Sequence, residues 1–66
     1  MSINSYITIH TNGVMPEATM SDHGDFAVLS FTVGTFDEGR QDYSFHFENI
    51  EQIKELLANI EFIDAR

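Results

Sequence analysis

One stretch, Phe45 through Ile63, limits the choice of fold more than any other part of the chain. There a strand-like run gives way to FENIEQIKELLANIEFI, in which Ile50, Ile53, Leu57 and Ile60 recur at helical spacing and Leu56 widens the stripe. Glu48, Glu51, Gln52, Glu55 and Asn59 fall on the opposite side of the wheel. Asn49 reads as the helix N-cap, with Gln52 three residues on approximating a capping box. Phe62 and Ile63 either extend the apolar stripe or dock as a tail. A lone amphipathic helix cannot bury its own stripe, so the residues before it must supply a sheet for it to cover.

Those residues carry strand patterns. Ile3, Ser5, Ile7 and Ile9 alternate with Tyr6, Thr8 and His10, which predicts a first strand over residues 3–10. Asn12-Gly13 is a strong turn signal. Val14 to Met20 reads either as a short edge strand, with Pro16 tolerated because an edge needs no donor there, or as a loop. Residues 21–25 form a polar turn. Phe26 to Gly34, FAVLSFTVG, is the clearest strand, with Ala27, Leu29, Phe31 and Val33 on one face and Phe26, Val28, Ser30 and Thr32 on the other. Asp37-Glu38-Gly39 fits a three-residue hairpin loop with Gly39 in the left-handed position. Pairing Phe36 with Arg40 then sets Val33 against Tyr43, Phe31 against Phe45 and Leu29 against Phe47. The helix stripe is expected to lie over these residues and over Ile7 and Ile9. The expected fold is therefore α+β: a small antiparallel sheet of three strands, or four if the edge strand forms, with one C-terminal amphipathic helix packed on one face.

At 66 residues the chain has room for one domain, residues 1–66. A domain of this size is marginally stable unless a disulfide, a metal or a partner subunit helps. Cysteine is absent, which excludes a disulfide framework and a thiolate zinc site. The N-terminus lacks a secretory pattern and no run is long enough for a membrane helix, so a cytoplasmic location is expected.

Eleven Asp and Glu against three Lys and Arg leave a net charge of −8. Direct binding to nucleic acid or to an anionic membrane is disfavoured, because both need Lys and Arg. A basic protein is the natural complement. Carboxylates three and four apart on a helix stand about 5–6 Å from each other, comparable with phosphates along a strand. Glu48, Glu51 and Glu55, with Glu61 and Asp64 beyond and Asp37, Glu38 and Asp42 on the hairpin, thus predict an acidic surface. Such a surface would imitate nucleic acid and inhibit or modulate a nucleic-acid-handling partner. The competing reading is an ordinary solvated helix face that keeps a small protein soluble.

The sheet face away from the helix should expose Tyr6, Phe26 and Val28 among hydroxyl side chains. An exposed apolar patch on a small domain predicts self-association, as a homodimer through this face or through an edge strand. His10, His23 and His46 lack the spacing of a zinc site; His10 and His46 share one face and would need Asp42 or Asp25 as a third ligand. Asp22-His23-Gly24-Asp25 lacks the acidic spacing of a calcium loop. No nucleophile elbow, phosphate loop or zinc motif is present. The chain is expected to be no enzyme and to carry no metal and no cofactor.

Overall fold

The computed structural model describes residues 4–34 and 39–66. It contains three strands, β1 (Glu17–Asp22), β2 (Ala27–Val33) and β3 (Gln41–Phe47), followed by one helix, α1 (Ile50–Ala58). The sheet is antiparallel in the order β1-β2-β3, so β2 lies in the middle and β1 and β3 are edges. This is the small α+β architecture expected from the sequence, with one difference in which segments build it.

Residues 4–11 form no strand and lie exposed, and the place of a third strand is taken by Glu17–Asp22. The Asn12-Gly13 turn does form: both residues have positive φ, 55° and 82°, and the Val14 amide donates to the Thr11 carbonyl at 3.0 Å. A ladder growing back from that turn would set Ile9 opposite Pro16, which has no N–H to donate. The hairpin therefore stops at its turn, and the chain beyond Pro16 pairs with β2 instead. The polar turn between β1 and β2 is an Asx turn in which the Gly24 amide donates to Asp22 Oδ1 at 3.0 Å, with Gly24 at φ 87°. The His23 amide closes it by donating to the Phe26 carbonyl.

The β2–β3 hairpin forms with a register two residues away from that expected. Val33 pairs with Gln41, Phe31 with Tyr43, Leu29 with Phe45 and Ala27 with Phe47. A slip of two preserves every side chain's face, because strands alternate with period two. The physical reason lies at the base of the turn. Gly34 and Gly39 both have φ 94°, and a Cβ on Gly34 would collide with the Gly39 carbonyl oxygen. The strands thus close on two glycines in contact rather than on Gly39 alone. Phe36, Asp37 and Glu38 of the expected loop lie outside the described residues.

The helix begins as its sequence requires. Asn49 Oδ1 accepts from the Gln52 amide at 3.0 Å, and Gln52 Oε1 accepts from the Glu48 amide at 2.9 Å, a reciprocal cap on two otherwise orphan donors. It ends at Ala58, earlier than the apolar stripe suggests. The Asn59 amide donates to the carbonyls of Glu55 and Leu56, and its side-chain Nδ2 donates to the Glu55 carbonyl at 2.7 Å. An Asn side chain that competes for backbone acceptors in this way terminates a helix. Ile60, Phe62 and Ile63 follow as an exposed tail.

The core is small. Ala27, Leu29 and Ile53 are buried, with Ile53 at 0 % exposure, and Phe31, Phe47 and Ile50 pack around them. The helix covers the end of the sheet where Ala27 meets Phe47 and leaves the other end open. The expectation that it would also cover Ile7, Ile9 and Phe45 is corrected here, since all three are exposed.

Candidate protein-binding surfaces

The register sorts the sheet into two unlike faces. The helix side carries Ala18 and Met20 from β1, Leu29, Phe31 and Val33 from β2, and Tyr43, Phe45 and Phe47 from β3. The far side pairs Ser30 with Ser44, their hydroxyls 3.2 Å apart, and Thr32 with Asp42, where the threonine hydroxyl donates to the carboxylate at 2.6 Å.

The apolar side is where the helix runs out. Phe31 and Phe45 meet edge to face with centroids 6.3 Å apart, and Phe45 remains 56 % exposed. Two hollows flank this pair. One, of about 240 Å³, lies between it and Leu56, Leu57 and Ile60. The other, of about 520 Å³, lies on the open half, with Val33 and Tyr43 in its floor and Ile7, Ile9 and Pro16 at its rim. The same two phenylalanines line both, so the hollows are one apolar surface divided by the Phe31–Phe45 contact.

Of the residues expected to drive self-association, Phe26 and Val28 lie together around His46 on the far side of the sheet, and Tyr6 lies apart from them. Tyr6 sits on the N-terminal segment at 87 % exposure. Val28 lies on the far side of β2, opposite His46. Phe26, just before β2, is stacked between His23 (centroids 4.6 Å apart) and His46 (5.8 Å), which covers much of its ring. The larger open apolar surface is on the helix side. Sequence reasoning assigned it to the core because the stripe from Ile50 to Ile60 is long enough to cover it, and the early stop at Asn59 carries no periodicity signal.

Among the acidic residues, Glu48, Glu51 and Glu55 are exposed at the start and along the outer side of α1. Glu51 meets Lys54 at 3.8 Å, a surface pair worth little on its own. Asp42 is exposed on β3, and Asp37 and Glu38 lie outside the described residues. The hydrogen bond from Thr32 holds the Asp42 carboxyl below its ordinary range against the opposing effect of desolvation, with a lesser contribution from the nearby Arg40 guanidinium. Asp64 is lowered likewise by hydrogen bonds from Arg66.

Among the described residues no three His, Asp or Glu side chains gather as a metal site, and no helix is long and apolar enough to cross a membrane. No family model, curated protein or solved structure matches this chain.

Proposed function

We propose that this protein is a small, non-enzymatic, cytoplasmic association module whose working surface is the apolar half-sheet left open by its helix. The supporting observation is one of area. A compact monomer of 7.5 kDa exposes about 4,200 Å², whereas this chain exposes 6146 Å². Its radius of gyration is 14.6 Å, against about 11 Å for a compact chain of this length. Both excesses come from the uncovered N-terminal arm, the tail after Ala58 and the open half of the sheet, and this supports a partner that covers them, the first on offer being a second copy. The test is Phe45→Asp, which places a charge on the open half and spares the buried trio of Ala27, Leu29 and Ile53. Light scattering should report self-association in the parent protein and its loss in the variant. A parent protein that stays at monomer mass while folded would refute the reading.

A second reading concerns the opposite side of the helix. Glu48, Glu51 and Glu55 are exposed together, and Lys54 is the lone cation in the helix. This favours a basic, nucleic-acid-handling protein that the chain inhibits or modulates by imitating a row of phosphates. Charge reversal at Glu51 and Glu55 to Lys should then weaken capture of that partner roughly tenfold or more, an effect of more than about 1.4 kcal/mol. Undiminished capture would exclude it. The two readings are compatible, because they use different sides of the molecule.

A further inference from the structure

The N-terminal arm, residues 4–11, holds a contradiction between sequence and structure. Its alternation of Ile7 and Ile9 with Tyr6, Thr8 and His10 is that of a strand, yet among the described residues it has no strand partner in its own chain. The arm's one backbone hydrogen bond among those residues is the Thr11 carbonyl accepting from Val14. Ile7 is 86 % exposed. Meanwhile the outer edge of β3 has no strand beside it among the described residues, because the sheet order places β3 at one end.

We infer that each arm is the fourth strand of a second copy's sheet, added along the free edge of β3, so that the protein is an arm-exchanged homodimer. This rests on the association reading above and names what completes the open surface. A strand added there would put Ile7 and Ile9 beside Tyr43 and Phe45, extending the apolar face, and Tyr6, Thr8 and His10 on the polar far side.

In its own chain the arm lies near β3 without pairing to it: Ile7 and Ile9 stand at the rim of the larger hollow, and His10, Thr11 and Asn12 line a smaller one with Gly39 and Gln41.

The area agrees with a second copy as the occupant. The excess over a compact monomer is roughly 1,900 Å² per chain. Two chains would bury about twice that, within the range of obligate homodimers. Such a chain needs its partner in order to be stable, and a second copy is present whenever the first is made.

The absence of cysteine makes a direct test clean. Two single-cysteine variants, Ile7→Cys and Tyr43→Cys, are mixed, oxidised and separated by mass, alongside sedimentation of the parent protein and of Ile7→Asp. The expected results are a parent species of twice 7.5 kDa, a mixed disulfide between the two variants, and dimerisation weakened at least about tenfold in Ile7→Asp. Ile7 makes no buried contact in the single chain, so that weakening would report a contact between copies. A dimer that persists undiminished in Ile7→Asp and gives no mixed disulfide overturns arm exchange and leaves the association reading standing. A folded parent at 7.5 kDa overturns both.

Discussion

Among single residues, the far side of the sheet is organised by small polar contacts. Thr32 and Asp42 face each other across β2 and β3, and their hydrogen bond is the largest influence holding the Asp42 carboxyl below its ordinary range. A carboxyl whose pKa is lowered by folding adds stability that is fully present above its unfolded pKa and is lost as pH falls through the folded value. Thr32→Val removes the donor while keeping the shape. The Asp42 pKa should rise toward the ordinary carboxylate range, followed by NMR titration of the side-chain carboxyl, and the loss of stability on acidification should become shallower. Asp42 is exposed on an edge strand, so the effect on total stability is small.

Among elements, the helix is the most locally determined. Its start is written in Asn49 and Gln52, which satisfy the Gln52 and Glu48 amides reciprocally. With nine residues, α1 is too short to persist by propensity alone and depends on this cap and on Ile53 packed over the sheet. Asn49→Ala should cost about 1 kcal/mol, read as a lower urea midpoint with an unchanged slope. Gln52→Ala should cost less, because it leaves the Asn49 side chain free to cap. The N-terminal arm is the contrasting element. Its strand pattern is as regular as that of β2, yet Pro16 blocks the hairpin it would form with the following residues.

For the whole molecule, charge and apolar surface make opposing demands. Each chain carries a net charge of −8, so two copies repel one another, while the helix side of the sheet that would join them is almost free of charged groups. Raising the salt from about 50 to 500 mM shortens the screening length from above 10 Å to a few ångströms. The homodimer should hold or tighten over that range in sedimentation experiments, and any complex of the acidic helix face with a basic protein should weaken. A homodimer that dissociates with salt would mean that charge, rather than the Phe31–Phe45 surface, holds the copies together.

Short-range chemistry controls the features legible in the residues alone. The N-cap at Asn49, the left-handed Asn12-Gly13 turn, the pairing of β2 with β3 and the assignment of their side chains to faces all follow from residue type and period. The acidic outer side of the helix was legible for the same reason. Packing settled the places where similar local preferences compete. Two segments before β2 carry strand signals; 17–22 pairs with β2, and 4–10 pairs with neither among the described residues, because Pro16 blocks the hairpin that would join the two segments. The two-residue slip between β2 and β3 leaves every face unchanged, so no alternation pattern can detect it, and the contact of Gly34 with Gly39 sets it. The open half of the sheet arose because α1 stops at Ala58 when Asn59 claims the last carbonyls, while the apolar pattern runs on to Ile63. Periodicity shows which side of an element is apolar, and only packing shows how much of that side is covered.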